Sequence, residues 1–475
     1  MKTFTFDRLT LFSFLWAVAT LFHIVSFPAN TLTNPFAWMT AFFALLLVFR
    51  PHSLGLFMCM LFFSIAKTIY WMPYTPNHIF FELILNIGIL AALSYKIFPH
   101  LWNSPQKSPI ETQREDLYNG FAPFARISLL ILYFFAVFHK SNTDYLNPII
   151  SCGSIFLEEI KFHGFTFIPD SQFVKIAAVY GTLLIEASIP LLLYFRKTRI
   201  MGIILGFALH FFLALHPHGG LVSFSALLFS LFFLFTPVDF PDRLKSTITK
   251  IGQAHMKSTR RTLYILAFVA LLVLLIIFTN VKWNSRLNLL VFGSWCLWSL
   301  FLMTSFLTVA FSEKLSNYRN QDFFKIKNAF FWLFPIIIFL NGMSPYLGLK
   351  TETSYSMFSN LKTEGQKTNH LFIPVTLHLT DWQQDLVDIK QTNLKQFFPY
   401  IRDNQLITSF EFKRVIHDDL NRNFYVKYFR NGKPFLLTVR KGKVYTADSL
   451  TKVPYFLSKI MHFRPVDKGP CLCKH

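Results

Sequence analysis

Charge is scarce in this chain of 475 residues: 15% are Asp, Glu, Lys or Arg, where a water-soluble domain carries about 25%. That excludes an ordinary soluble fold and the charge-rich disordered class. Acidic residues are the scarcer half, 25 against 46 Lys and Arg, so the formal net charge is +21. Five cysteines are too few for a disulfide scaffold, and Cys59, Cys152 and Cys296 lie in or near apolar segments, which leaves the redox compartment open. No glycine-rich phosphate loop, nucleophile elbow, dinucleotide fingerprint, HExxH pair or internal repeat occurs, so nucleotide chemistry has no foothold. What the chain holds in excess is apolar: 53% of residues, 59 of them Phe, with a mean hydropathy of +0.40. Such a composition suits a chain dissolved in lipid. Many Lys and Arg flank the apolar runs, a placement that fits an anionic membrane surface and not nucleic acid.

Crossing about 30 Å of hydrocarbon takes roughly 20 helical residues. Eleven runs are candidates: 9–27, 36–49, 53–72, 78–98, 124–140, 173–195, 200–215, 221–236, 263–281, 289–311 and 328–343. The second, seventh, eighth and eleventh are short, hence tilted spans or segments that dip in and return. The expected fold is mainly α, a polytopic transmembrane bundle of about 9–11 spans. The first run has a basic start but no small-x-small cleavage site after it, and reads as a retained helix. Basic residues recur in every second loop, from Arg50, through Arg114 and Arg126, Arg196, Lys197 and Arg199, to 243–261 and 314–327. Loops 28–35, 73–77 and 216–220 carry none; only Lys282 and Arg286 oppose the pattern. By the positive-inside rule the protein sits multi-pass in the cell (inner) membrane, N-terminus in the cytoplasm and C-terminal region outside.

From residue 344 the apolar runs stop, and 344–475 reads as a soluble extracytoplasmic domain, mixed or mainly β. Strands are expected at 424–429 and 435–439 around Arg430-Asn431-Gly432-Lys433, a hairpin signal, with a further turn at Lys441-Gly442. The polar stretch 344–364 reads as a linker in preference to a lid. Cys471 and Cys473 near His475 read as a frayed terminus in preference to a soft-metal site.

Ionisable groups within apolar helices are costly and therefore mark candidate sites. On the expected outward side lie His78, Lys140, His210, His216 and His218, with Glu82 one turn below His78 and Glu186 deeper in its run. His78, Glu82 and Asn86 fall on one helix stripe, where Glu82 could fix the histidine tautomer; alternatively Asn77 and His78 only cap a helix. Lys140 is either a snorkelling lysine or, if desolvated, a base near neutral pH. His210 is either a packing histidine or a pocket group. Lys67 reads as snorkelling or paired. Three histidines in nine residues raise zinc, but no supporting motif accompanies them and no metal is expected.

The stretch Tyr133-Phe-Phe-Ala-Val-Phe-His-Lys140-Ser-Asn-Thr-Asp144-Tyr145-Leu resembles one in vitamin K-dependent γ-glutamyl carboxylases, where an aromatic-rich helix ends in a lysine pair followed by Asp-Trp. Asn77-His78 resembles the family's Asn-His, and 186–236 resembles a three-helix stretch with a helix-borne histidine matched by His210. The resemblance covers about residues 6–237 and corresponds to the HTTM membrane domain (1–237), with additional transmembrane helices at 238–343. Residues 344–351 and 354–364 resemble a segment of the bacterial relatives. The resemblance implies a lyase chemistry: a base deprotonates a reduced naphthoquinone (vitamin K or menaquinol), oxygen adds, and the strong base so formed takes a proton from a carbon acid that captures carbon dioxide. In it Lys140 is the base, His78 its partner and His210 a pocket histidine. His139 in place of the first lysine and Tyr145 in place of Trp put the acceptor in doubt. The alternatives are a non-catalytic lipid- or quinone-binding membrane protein, its outward domain recruiting a protein partner, or a transporter using Glu82 and Glu186 as a relay.

Overall fold

The computed structural model describes residues 6–102, 110–252, 264, 267–268, 271, 286–312, 323–365, 367–450 and 453–473. Short polar residues start several of its helices by accepting an otherwise orphaned backbone N–H. Asp7 caps α1 (Arg8–Ser26). After a turn of helix, α2 (Pro28–Thr33), Asn34 caps α3 (Pro35–Phe49), with Pro35 at the first position, and Ser53 caps α4 (Leu54–Trp71). Next come α5 (Asn77–Trp102), α6 (Ile110–Lys140), α7 (Cys152–His163), α8 (Gln172–Tyr194), α9 (Arg199–Leu213), α10 (Gly219–Phe232), α11 (Phe240–Gly252), α12 (Arg286–Ser312) and α13 (Leu333–Met343).

Seven of the described helical stretches are long and apolar enough to cross a membrane, or eight if the α10–α11 pair, bent by 105°, is one broken span. The runs expected at 36–49 and 200–215 are helices of 15 residues, α3 and α9. The run at 263–281 lies almost wholly outside the described residues. α10 forms the centre of the layer: every residue but Gly219 and Phe224 is buried, against α1, α9 and α12. Two glycines set close helix approaches, since a Cβ at Gly342 would meet the Phe135 ring at 2.3 Å and one at Gly206 would meet Phe232 at 2.3 Å. The outer surface is apolar instead of charged, with Trp38, Phe42, Leu184, Leu191, Phe301 and Leu340 all exposed.

The C-terminal region holds a six-stranded antiparallel sheet in the order β5-β4-β3-β1-β2-β6, built from β1 (Leu386–Thr392), β2 (Gln405–Thr408), β3 (Phe424–Arg430), β4 (Lys433–Arg440), β5 (Lys443–Thr446) and β6 (Val466–Asp467). Asn431 and Gly432 both adopt the left-handed conformation (φ 52° and 72°), as the two-residue hairpin between β3 and β4 requires. Alternate residues Val426, Tyr428, Leu437 and Val439 face a core closed by α14 (Ser409–Asp418), whose Phe412 and Ile416 fill it. Thr408 caps that helix through the Glu411 N–H. The sheet region rests on the helical layer at named points: the Arg414 guanidinium lies 4.8 Å above the Tyr74 ring and Lys459 Nζ donates to Met72 O at 3.2 Å.

Residues 344–364 depart from the linker expectation. Ser344, Lys350, Thr351, Ser354, Asn360 and Glu364 are buried among others, and the segment forms a wall of the helical layer's cavity. A polar stretch can be buried there because its hydrogen bonds are met by named partners. Ser354 O accepts from His139 Nε2 (3.0 Å), Ser359 O from Asn142 Nδ2 (2.6 Å), and Tyr355 N–H donates to Asn77 Oδ1 (2.6 Å). The tail is likewise not frayed. Cys473 is disulfide-bonded to Cys152 across 321 residues, and Cys471 O accepts from Asn360 Nδ2 (2.7 Å).

Candidate functional site

A cavity of about 120 Å³ lies where the ends of α5, α6 and α9 meet α7, α8, α10 and the 344–364 segment. Its wall is mainly apolar, with Leu132, Leu213, Phe224, Leu228, Met357 and Phe358 among the lining side chains. His78, Lys140 and His210 all line it. Each is brought there by a helix terminus or stripe. Lys140 is the last residue of α6, His78 the second of α5, and His210 stands one turn from the end of α9.

The partners of these groups differ from the sequence expectation in three respects. Lys140 Nζ is ion-paired with Glu186 of α8, 2.6 and 2.5 Å from its two oxygens, both side chains nearly buried. This carboxylate, and not His139, is the nearest charge to the ammonium. His139 turns away, with Nδ1 2.8 Å from the Tyr346 hydroxyl and Nε2 on Ser354 O. Glu82 does not orient His78. It pairs with His23 Nδ1 at 2.6 Å, while His78 Nε2 lies 2.8 Å from Ser223 Oγ. Nor does Asn77 serve only as a helix cap, since its side chain holds the Tyr355 backbone. Lys67 is buried rather than snorkelling.

His210 Nε2 lies 2.7 Å from the Tyr133 hydroxyl, two turns of α6 before Lys140. The Phe224 ring touches both imidazoles, 5.6 Å from His78 and 5.3 Å from His210. With Nε2 of each ring engaged, Nδ1 of His78 and of His210 is buried without a hydrogen-bond partner among the described residues. A buried imidazole nitrogen left unpaired costs roughly 1–3 kcal/mol, and both rings belong to residues that line the cavity. His216 is spent elsewhere, on Glu159 at 2.5 Å and stacked on Phe156. Among the described residues no group of three His, Cys, Asp or Glu converges in a way that could hold a metal.

Four residues of the lining segment, Thr353, Tyr355, Phe358 and Asn360, have φ between 50° and 68°. None is glycine, and for a β-branched or aromatic residue this region is unfavourable by about 1–3 kcal/mol. Such a cluster persists because the surrounding contacts over-determine it, and it presents Tyr355, Met357 and Phe358 to the cavity. Sequence reasoning overlooked His23 and Ser223, gave Tyr133 no role of its own, and read this segment as a linker. His23 carried the same signal as His78, an ionisable group in an apolar helix; Tyr133 and Ser223 carried none.

Together the fold and the cavity define a mainly helical protein with several long apolar helices and a small, mainly apolar chamber lined by one ion pair and two imidazoles. No family model, no curated protein and no solved structure matches the chain.

Proposed function

We propose that this is a multi-pass membrane protein of the HTTM type, related to vitamin K-dependent carboxylases, whose cavity binds a reduced naphthoquinone and uses Lys140 as a base. The observation that carries the proposal is the meeting of Lys140, His78 and His210 on one apolar cavity. Apolar helices with lipid-compatible outer faces support the membrane reading. We place the cavity end outward on two grounds. Arg114 lies near the start of α6, whose other end is Lys140; 26 residues at 1.5 Å each put it about 39 Å from the cavity end. The Cys152–Cys473 disulfide at the cavity end suits an oxidising, extracytoplasmic side.

The residues fit a flat aromatic diol. Its ring matches the Leu, Phe and Met lining, and Lys140, Glu186, His78 and His210 give the wall polar groups for its oxygens. When bound, a reduced naphthoquinone would supply the reducing equivalents that turn oxygen into a strong base. The chain's own part is proton handling and exclusion of water. The Tyr133 hydroxyl, 2.7 Å from His210 Nε2, fixes the orientation of that ring at the cavity wall. Lys140 Nζ stands 2.5–2.6 Å from both Glu186 oxygens, so the carboxylate fixes the amine at the cavity wall.

The same ion pair favours a second reading, a quinone- or lipid-binding protein without chemistry, since a lysine saturated by a carboxylate needs no further role. A transporter has less support: Glu82 and Glu186 are each engaged by a different base, His23 and Lys140. Mass spectrometry of lipid extracted from the purified protein tests the binding shared by the first two readings. A co-purifying isoprenoid naphthoquinone is expected; phospholipid alone contradicts the first reading and leaves only the lipid-binding form of the second.

A further inference from the structure

The segment 371–379, Leu-Phe-Ile-Pro-Val-Thr-Leu-His-Leu, contains no Asp, Glu, Lys or Arg. Its backbone is pinned along the cavity-side ends of α6 and α13. Leu371 N–H donates to Ser141 O (3.0 Å), Leu377 N–H to Tyr346 O (2.8 Å) and Leu379 N–H to Leu347 O (3.1 Å). Its side chains nevertheless turn outward: Phe372 is 71% exposed, Leu377 63% and Leu379 59%, with Leu371 and Val375 exposed beside them. A strap that uses its backbone polar groups on helix ends and presents five large apolar side chains outward has no aqueous rationale.

What covers those side chains is indicated by what adjoins them. Phe339 of α13 and Phe134 of α6 are exposed on the outer face of the helical layer and stack at 6.5 Å. Phe134 stacks on Phe138 (5.4 Å), Phe138 touches His370 (4.5 Å), and His370 touches Phe372 (5.8 Å). The lipid-compatible face of the helices therefore continues ring by ring into the strap, with no charged side chain in that ladder. We propose that residues 371–379 form a membrane-interface anchor, seated in the outer leaflet beside the cavity, with lipid as the partner that covers Phe372, Leu377 and Leu379. Segments of this kind lie about 5–10 Å into the headgroup–acyl boundary.

The anchor also bears on the cavity. Asn369, next to the strap, accepts from Lys362 N–H at Oδ1 (2.8 Å), donates its own N–H to Lys362 O (3.1 Å) and donates Nδ2 to Asn360 O (2.7 Å). Asn360 lies two residues beyond Phe358 of the cavity wall. The strap is thus tied to the 344–364 wall through Asn369.

The inference rests on the membrane reading, and one experiment separates the two. Phe372→p-benzoylphenylalanine and Leu184→p-benzoylphenylalanine are each made in the full chain, reconstituted into phosphatidylcholine–phosphatidylglycerol vesicles and irradiated. Leu184 is exposed on α8 and reports the membrane reading alone. The expected result is a mass shift of one phospholipid at both positions, in comparable yield. A lipid adduct at Leu184 with none at Phe372, or a protein cross-link at Phe372 in its place, overturns the anchor and leaves the membrane reading standing. No lipid adduct at either position overturns both.

Discussion

Two carboxylate–base pairs are buried in the helical layer, and they are built differently. His23 and Glu82 lie 2.6 Å apart inside a shell of their own. Asn86 Nδ2 reaches Glu82 at 3.4 Å and Ser64 at 3.1 Å, and Trp16 Nε1 donates to Asn86 Oδ1 at 2.9 Å. Neither member lines the cavity. Lys140 and Glu186, at 2.5–2.6 Å, do line it, with the Tyr145 ring 5.8 Å from the ammonium and open space on another side. The same chemistry enclosed by packed partners holds helices together; beside a void it is available to a ligand. His23 also accounts for how His78 is held, since its ring packs 5.8 Å from the His78 ring and its Nε2 lies 3.2 Å from the carbonyl of Ser223, whose hydroxyl bonds His78.

The comparison breaks most readily by removing one member of each pair. His23→Ala leaves the Glu82 carboxylate buried without its base, a change that costs about 3–5 kcal/mol. The thermal midpoint of the detergent-solubilised protein should fall accordingly. Cys473→Ser removes the link between α7 and the tail, at a cost of about 2–4 kcal/mol. Limited proteolysis should then cut the 466–473 region sooner while the helical layer stays folded. Glu186→Gln should cost only about 1 kcal/mol, because a cavity-lining ammonium can be reached by water or ligand. A thermal shift as large as that of His23→Ala would erase the distinction between the pairs.

Lys350 sharpens the comparison as a buried base with no salt-bridging carboxylate among the described residues. Its Nζ donates to Thr353 Oγ1 at 2.8 Å and lies 4.1 Å above the Phe80 ring. Burial pulls its pKa down to about 7, Glu352 opposing. The native state then releases this proton near pH 7, whereas the unfolded chain keeps it to about 10.4. Between those values the unfolded state binds more protons, so stability rises with pH, by at most about 1.4 kcal/mol per unit. The thermal midpoint of the wild type should rise from pH 7 to 9, and Lys350→Met should flatten that slope.

How much was legible depended on the range over which the determining contact acts. The β3–β4 hairpin could be read from Asn431-Gly432, because the turn is local and its φ requirement falls on those two residues. Helices appear at the ten counted apolar runs that fall within the described residues, because hydropathy is a property of the segment itself. The wall at 344–364 was not legible: its polar residues look solvated until partners such as Asn77, His139 and Asn142, 200 or more residues distant, are seen to satisfy them. The Cys152–Cys473 bond and the Lys140–Glu186 and His23–Glu82 pairs were hidden for the same reason. Helix periodicity offered His78 the carboxylate one turn away, and tertiary packing gave that carboxylate to another histidine.

The central claim, that Lys140 works as a base in this cavity, is tested most directly by oxygen consumption after adding reduced naphthoquinone to the purified protein. Lys140→Arg retains the positive charge beside Glu186 but cannot give up its proton at neutral pH. The account predicts uptake by the wild type above a no-protein blank and a loss of about 100-fold or more in Lys140→Arg, the scale of general-base catalysis, with the thermal midpoint little changed. Equal uptake by both proteins, or none by either, contradicts it.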